Sequence, residues 1–265
     1  MDLQLTGRRA VVTGAGRGIG RAVALALAAE GARVALVARG ADRLEETAAA
    51  IAARGGTALV RPADTRDDAA VRAMVADVVG AWGGVDVLVN AAARPASSGP
   101  VPALADLTDD ALRDEVETKV LGYLRCARAV APHMVAAGWG RIVNVSGLNA
   151  RSSGSLVGSV RNVAVAAMTK NLADELGPAG ITVTVVHPGT TVTEALPQRL
   201  ADRAAREGVQ VEELTGRLAA ATSIGRLVTA EEVADVVTFL ASPRSGAITG
   251  DAVAVGGGTR GAIHY

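Results

Sequence analysis

Short apolar runs rich in β-branched residues alternate along this chain with longer Ala- and Leu-rich segments of helical periodicity. The short runs are bounded by Gly or Asp and predict strands at 10–13, 33–38, 58–61, 85–90, 141–146, 182–187 and 252–255. The longer segments predict helices at 19–30, 41–54, 67–80, 108–137, 160–176 and 230–241. Strand–helix alternation predicts an α/β fold, with right-handed βαβ units and a parallel sheet that has helices on both faces. The strands are mostly apolar throughout, as expected when both sheet faces are covered.

One segment departs from this alternation. Residues 190–223 separate the sixth predicted strand from the last long helix, and they are polar, charged and only partly helical in pattern. Ligands of open α/β sheets bind at the carboxyl ends of strands, so we expect a substrate lid here, with a plain surface excursion as the alternative. No linker or charge block divides the chain, which predicts a single domain over 1–265.

Composition narrows the function. The chain has 265 residues, 49% of them hydrophobic, and its 27 Lys+Arg balance 27 Asp+Glu. A net charge of zero argues against nucleic-acid binding and against a polybasic membrane patch. One Cys and three His make a disulfide framework or a metal site an unlikely basis for function, so we expect no metal. We see neither a signal peptide nor an apolar run long enough to span a membrane, and we expect a cytoplasmic protein that acts on a small molecule.

The first strand runs into a glycine-rich turn, and a helix follows. Glycines allow a tight turn and let backbone N–H groups approach a pyrophosphate, which the helix amino end also attracts. This strand–turn–helix context predicts a dinucleotide site. Its residues are Gly14, Gly16, Arg17, Gly18, Ile19 and Gly20.

The end of the second strand bears on the cofactor. An acidic residue there would hold the ribose 2′-hydroxyl of NAD, but this chain has Arg39, and Arg17 lies in the turn. Two guanidinium groups suit a 2′-phosphate, which favours NADP(H) over NAD(H). The alternative is that both arginines are solvated surface residues of an Arg-rich chain.

From about residue 5 to 258 the chain resembles the short-chain dehydrogenase/reductase family. The turn 13–20 matches the family's Thr-Gly-x-x-x-Gly-x-Gly motif, and further matches are Asp64, Asn90, Pro188-Gly189, Thr193 and 248–250. The resemblance implies a Rossmann-type doubly wound sheet of seven parallel strands. It implies that Asp64 contacts adenine and that Asn90, Pro188, Gly189 and Thr193 belong to the cofactor site. It also implies a homotetramer or homodimer built through the helices at 108–137 and 160–176.

The chain departs from the family at the catalytic residues, which are a Tyr-x-x-x-Lys pair, a Ser and an Asn. Neither lysine has a Tyr four positions before it, since those positions hold Glu115 and Ala166. Aligning the segment 168–176 with the family places Gly158 at the Tyr position and Asn162 at the Lys position. Lys119 falls at the Asn position, and Ser146 lies one residue before the usual Ser.

Asn and Lys therefore look exchanged between two helices that face one pocket in the family. We expect Lys119, Ser146 and Asn162 to be the candidate catalytic residues, with Lys119 holding the ribose or acting as an acid. The alternative is drift after loss of function, with Lys119 merely solvated. Gly158 is expected to free volume beside the nicotinamide.

Three other side chains receive structural interpretations. Arg151 and Arg161 are expected at the surface rather than on an anionic substrate, because the chain is rich in Arg. His187, which precedes Pro-Gly, is expected to be a structural histidine with its hydrogen bonds satisfied.

Three functions remain open. The first is an NADP(H)-dependent oxidoreductase with a non-standard proton donor. The second is an isomerase, lyase or cyclase on the same scaffold. The third is an inactive subunit that senses the cofactor or joins an active related subunit. The missing Tyr-Lys pair counts against the first, which fold-level analogy nevertheless favours.

Overall fold

A computed structural model describes residues 1–93 and 101–260. Its central sheet has seven parallel strands in the order β3-β2-β1-β4-β5-β6-β9. Those strands are β1 (Arg9–Thr13), β2 (Arg33–Ala38), β3 (Thr57–Pro62), β4 (Val87–Asn90), β5 (Gly140–Val145), β6 (Ile181–Pro188) and β9 (Ala252–Val255). β7 (Thr191–Val192) and β8 (Val228–Thr229) form a separate parallel pair. The doubly wound parallel fold expected from the sequence is confirmed.

Helices cover both faces of the sheet. They are α1 (Gly18–Ala29), α2 (Ala41–Ala52), α3 (Asp68–Trp82), α4 (Asp109–Glu115), α5 (Gly122–Ala137), α6 (Leu156–Leu176), α7 (Leu196–Glu207), α8 (Val211–Ala220) and α9 (Ala230–Leu240). One buried cluster joins α1, α2 and α9 to the sheet, and a second joins α3, α5 and α6 to its other face. Among the described residues, no helix has both the length and the apolar character needed to cross a bilayer.

The segment expected as one helix over 108–137 contains a π-helical turn. α4 leads into Val116–Leu121, whose wider π turn passes directly into α5. Thr108 caps the start, because its side chain accepts a hydrogen bond from the N–H of Ala111. Such π turns inside α-helices occur often at functional sites. Lys119 lies within this turn.

α6 begins earlier than the apolar pattern predicts, at Leu156 rather than at residue 160. The reason is Ser155, whose side chain accepts a hydrogen bond from Gly158 N and caps the helix. The outer face of α6 carries three large apolar side chains that are about half exposed, Leu156, Val160 and Val163.

The polar segment after β6 is well structured. α7 and α8 pack against each other around Leu196, Leu200, Ala204 and Leu214. The pairing of β7 with β8 joins the two ends of this helical pair. The segment is therefore a compact unit with an apolar centre of its own. The spacing of four between Leu196, Leu200 and Ala204 is a helical signal that the sequence analysis missed.

Candidate functional site

A cleft of about 1040 Å³ lies at the carboxyl ends of the central strands. The glycine turn, the end of β2, the segment after β4, the π turn and the start of α7 all contribute to its walls. Its basic side chains outnumber its two acidic ones, Asp64 and Glu194. Those basic side chains are Arg17, Arg39, Arg43, Arg66, Arg199 and Lys119. The cleft therefore favours an anionic ligand.

The glycine turn has no room for side chains at two of its positions. Gly14 has a φ of +70°, and a Cβ there would lie 2.7 Å from the carbonyl oxygen of Ala91. A Cβ on Gly20 would collide with the carbonyl of Gly14. Thr13 holds the neighbouring segment in place, because its Oγ1 accepts hydrogen bonds from Ala91 N (3.0 Å) and Ala92 N (3.1 Å). This close backbone packing forms a cradle that a pyrophosphate can approach.

The amino end of α1 binds a carboxylate of the chain itself. Arg17 stands at the N-cap without a capping side chain, and Gly18 N donates a 3.0 Å hydrogen bond to Oε2 of Glu194. Glu194 lies two residues before the start of α7 and lines the cleft. The helix end thus interacts with a negative group, as the cofactor interpretation requires.

The structure divides the sequence-predicted cofactor residues into two sets. The cleft is lined by Gly14, Gly16, Arg17, Gly18, Ile19, Gly20, Arg39, Asp64 and Thr193. Asn90 instead lies fully buried at the end of β4, where its Nδ2 donates to Asn144 Oδ1 (2.9 Å). Pro188 and Gly189 end β6 behind this wall, with Gly189 packed against Gly256. Direct contact of Asn90, Pro188 and Gly189 with a cofactor stays a prediction.

Lys119 is buried, with only 4% of its surface exposed, and its Nζ donates a 2.8 Å hydrogen bond to the backbone carbonyl of Ser146. It also lines the cleft. The interpretation of Lys119 as a merely solvated side chain is wrong. Burial lowers the pKa of the Lys119 ammonium to about 7; nearby Arg161 lowers this pKa further, while Glu115 opposes the shift.

Ser146 and Asn162 lie beside this lysine. The hydroxyl of Ser146 donates to the backbone carbonyl of Asn162 (3.2 Å), and both residues are buried. Within the described residues, the side-chain oxygen of Asn162 has no hydrogen-bond partner. A buried acceptor without a donor is costly, but Asn162 is not among the residues that line the cleft, so contact of this atom with a ligand stays a prediction.

Gly158 does not free volume in the way the sequence suggested. It is buried, and a Cβ at this position would lie 2.8 Å from Ser155 Oγ and 2.9 Å from Asn149 Nδ2. The helix cap and the Asn149 amide therefore take the space beside its Cα. The expectation of open volume next to this glycine is wrong.

Tyrosine does not replace the missing phenol in the described part of the cleft. Tyr123 is fully buried, and its hydroxyl donates to the carbonyl of Val145 (2.9 Å). Burial also raises the pKa of this phenol, which keeps it protonated. The other tyrosine, Tyr265, lies outside the described residues.

Two further interpretations need correction. His187 is buried at the end of β6, and its Nδ1 has no hydrogen-bond partner among the described residues, so it is not a satisfied structural histidine. Burial, followed by the charges of Arg151 and Lys119, lowers the pKa of His187 to about 4. Arg161 is not a free surface residue, because it forms a partly buried ion pair with Glu115.

Sequence reasoning missed Glu194, Glu115 and Arg43. Arg43 packs its Cβ against Gly16 and lines the cleft beside Arg39. Glu115 precedes Lys119 by four residues, a helical spacing that did signal proximity. Glu194 left a weaker signal, since it follows Thr193 at the start of the expected lid.

Comparisons with known proteins agree with this geometry. Residues 14–260 match a family model described as enoyl-(acyl carrier protein) reductase. The short-chain reductase protein NovJ of Streptomyces niveus is 39% identical over 250 residues, which cover 94% of this chain and 92% of NovJ.

Solved structures share both fold and family. L-sorbose reductase of Gluconobacter frateurii, in a complex with NADPH and L-sorbose, superposes with a TM-score of 0.90 at 30% identity, covering 99% of this chain and 100% of that one. A 7α-hydroxysteroid dehydrogenase complexed with NADH superposes with a TM-score of 0.87 at 28% identity, covering 99% and 98%. These relatives are oxidoreductases, and their cofactors include both nicotinamide dinucleotides. The chain belongs to the short-chain dehydrogenase/reductase family of oxidoreductases.

Proposed function

We propose that this protein is an NADP(H)-dependent oxidoreductase that interconverts a carbonyl compound and an alcohol, with Lys119 as the group that gives or takes the proton. The observation that carries the proposal is the placement of Lys119. Its ammonium is buried, lines the cleft and has a pKa near 7, so both protonation states are accessible at neutral pH.

The residues present fit a dinucleotide. The crowded glycine turn and the carboxylate-binding end of α1 suit its pyrophosphate. Arg39, Arg17 and Arg43 offer guanidinium groups to a 2′-phosphate, and this favours NADP(H) over NAD(H). When bound, the cofactor supplies or accepts the hydride.

The chain's own residues then donate or accept the proton. In the reducing direction Lys119 donates a proton to the carbonyl oxygen of the substrate, which becomes the hydroxyl oxygen of the product, and in the oxidising direction the neutral amine accepts the proton of the alcohol hydroxyl. Reduction should therefore slow as the pH rises through about 7, and oxidation should speed up over the same range. The hydrogen bond to Ser146 O holds Nζ in place, as a positioned acid requires.

A second candidate is an inactive partner subunit. Two observations favour it: the space beside Gly158, where the family has its phenol, is filled by Ser155 and Asn149, and α6 exposes Leu156, Val160 and Val163. Apolar side chains spaced along one helix face are typical of a packing surface. Assembly through this face, with a second copy or with a related chain, stays a prediction.

Addition of NADPH to the purified protein, followed by a panel of ketones and aldehydes, tests the first candidate. We expect NADPH oxidation, and we expect Lys119→Met to slow it by about 10²–10⁴-fold while NADPH affinity changes only a few-fold. Lys170→Met is the matched control, because Lys170 is exposed and pairs with Asp174.

Each other outcome points to a different conclusion. If the protein does not bind NADPH, the proposal of a reductase is rejected. If Lys119→Met leaves the rate of turnover unchanged, the proposed role of Lys119 is rejected. Substrate conversion without any change in NADPH redox state supports an isomerase or lyase. Cofactor binding without turnover, together with co-purification of a related subunit, supports the partner.

A further inference from the structure

We infer that the ion pair between Glu115 and Arg161 positions Lys119 and governs when Lys119 holds its proton. The inference rests on the role proposed above for Lys119. Neither Glu115 nor Arg161 lines the cleft, so both are positioning residues rather than catalytic ones. The family resemblance and the comparisons assign them no role.

A closed ring of contacts connects the pair to the lysine. Arg161 Nη1 donates to the carboxylate of Glu115, and Arg161 is bonded through its peptide to Asn162. The carbonyl of Asn162 accepts from Ser146 Oγ (3.2 Å), and the carbonyl of Ser146 accepts from Lys119 Nζ (2.8 Å). The helix itself closes the ring, because Lys119 lies four residues after Glu115 on the same continuous helical segment.

The position of the pair matters because the ring includes a π turn. Val116–Leu121 begins directly after Glu115, so the ion pair ties α4 to α6 just where the helix widens. The direction of the Lys119 side chain depends on the geometry of this turn. A contact that fixes the turn against α6 therefore also fixes the distance from Lys119 to Ser146.

The charges of the pair also act directly on the lysine. Both side chains are mostly buried, at 18% exposure for Arg161 and 20% for Glu115, so solvent screens them less than a surface pair. Within residues 1–93 and 101–260, the charged or titratable groups that act on Lys119 are Glu115 on its own helix, Arg161 on α6 and His187 on β6. The low pKa of His187 keeps it neutral at pH 7.

Glu115 and Arg161 oppose each other. The Arg161 cation lowers the pKa of Lys119 and the Glu115 anion raises it. Removing one charge therefore has a predictable sign. Glu115→Gln should make Lys119 lose its proton at lower pH, and Arg161→Met should make it lose its proton at higher pH. Each shift should be about one pH unit, as expected for a unit charge several ångströms away in a partly buried site.

The chain has two lysines, Lys119 and Lys170, which permits a direct measurement. In the full-length protein labelled with ¹³Cε-lysine, NMR titration from pH 5 to pH 10 should give two lysine signals. Lys170→Arg assigns them. We expect the Lys119 signal to titrate near pH 7, to move down in Glu115→Gln, and to move up in Arg161→Met. The double variant Glu115→Gln/Arg161→Met should lie between the two single variants.

Lys170 is the internal control, because it is exposed and its signal should be the same in every variant. Glu115→Gln preserves the size of the side chain and carries the test alone if Arg161→Met does not fold. The inference is overturned if Glu115→Gln leaves the Lys119 titration unmoved or shifts it upward.

This experiment separates the pair from the proposed reaction. If the titration shifts as expected but the parent protein oxidises no NADPH, the inference stands and the reductase proposal fails. If the parent is active, the pH at which its reduction rate falls should move with the titration of Lys119 in each variant. An active protein with an unmoved pH profile and an unmoved titration rejects the role of the pair.

Discussion

The two sides of the cleft are formed by different kinds of chemical group. On the predicted nucleotide side, between β1 and α1, the wall is formed by backbone N–H groups and by glycines that have no room for a side chain. On the opposite side, Lys119 of the π turn and Ser146 after β5 line the cleft, and hydrogen bonds connect them to the backbone of α6. Few other sequences can form the backbone cradle of the glycine turn, whereas the same type of side-chain group can be supplied from another helix.

The exchange of lysine and asparagine illustrates this difference. Lys119 and Asn162 are both buried, and both are hydrogen-bonded to Ser146. Lys119 Nζ donates to the backbone carbonyl of Ser146, and the Ser146 hydroxyl donates to the backbone carbonyl of Asn162. The predicted exchange would leave an ammonium next to the end of β5, supplied from the π turn rather than from α6. Among the described residues no tyrosine offers its phenol to the cleft, since the hydroxyl of Tyr123 donates a hydrogen bond to the carbonyl of Val145.

The largest effect is expected from Gly14→Ala. The new methyl group would press on the carbonyl of Ala91, in a backbone conformation with φ +70° that alanine disfavours. NADPH affinity, measured by fluorescence titration, should fall by about 100-fold or more. Gly80→Ala is the control, because nothing lies within 4 Å of its Cβ position and its φ is not in the left-handed region. Equal affinities in parent and Gly14→Ala protein would show that the cradle is not needed.

Lys119→Met should raise stability, although it is expected to slow turnover by about 10²–10⁴-fold. The pKa of Lys119 in the fold is about 7, lower than in the unfolded chain, so the unfolded state binds more protons between about pH 7 and pH 10. The cost of the buried charge is complete below pH 7 and disappears as the pH rises to about 10. Chemical unfolding should show the variant to be about 2–4 kcal/mol more stable at pH 6.5, with a difference that shrinks at pH 9.5.

The control for this measurement is Lys170→Met, which should shift stability little at either pH because its ion pair is exposed. A stability gain of Lys119→Met that is the same at both pH values would contradict the assignment of a buried, titrating lysine.

Arg39→Asp addresses the nucleotide side through a side chain rather than the backbone. Loss of charge-assisted hydrogen bonds to a 2′-phosphate, and the repulsion that replaces them, should weaken NADPH binding by about 10–100-fold. NADH affinity should stay the same or improve. Arg54→Asp makes the same charge change at an exposed site away from the cleft and should alter neither affinity. An unchanged preference in Arg39→Asp would show that NADP(H) selection lies elsewhere.

The smallest effect is expected from Glu194→Gln. The Glu194 carboxylate accepts a hydrogen bond from Gly18 N at the amino end of α1. Because this helix end suits a pyrophosphate, the carboxylate competes with an incoming anion. Neutralising it should tighten NADPH binding by about 2–5-fold at low salt. Glu212→Gln, an exposed change on α8, is the control. Weaker binding in Glu194→Gln would mean that this carboxylate helps the ligand instead.

Much of the fold could be predicted from the sequence because its signals are local. The apolar runs identified the seven strands of the central sheet, although β4 begins at Val87 rather than at residue 85. The early start of α6 depends on the cap of Ser155, and the π turn interrupts a segment whose spacing predicts one continuous helix. Neither feature has a strong signature in hydrophobic spacing.

The site was less predictable because its details depend on contacts between distant segments. Counting residues predicted that Lys119, Ser146 and Asn162 are neighbours, and hydrogen bonds to the backbone carbonyls of Ser146 and Asn162 connect them, while their catalytic roles stay a prediction. It could not show that Asn149 takes the space beside Gly158, that Glu194 reaches Gly18, or that Arg161 is held by Glu115. Each of these is a tertiary contact that composition and spacing leave undetermined.

The small β7–β8 ladder has a consequence for how such a scaffold diversifies. Because Thr191 pairs with Val228, the chain leaves and re-enters the body of the protein at adjacent points. The helices enclosed between those points carry their own apolar centre. A different pair of helices could be inserted between the two short strands without a change in the register of the large sheet. Exchange of this one helical pair is therefore a route to new substrate preferences.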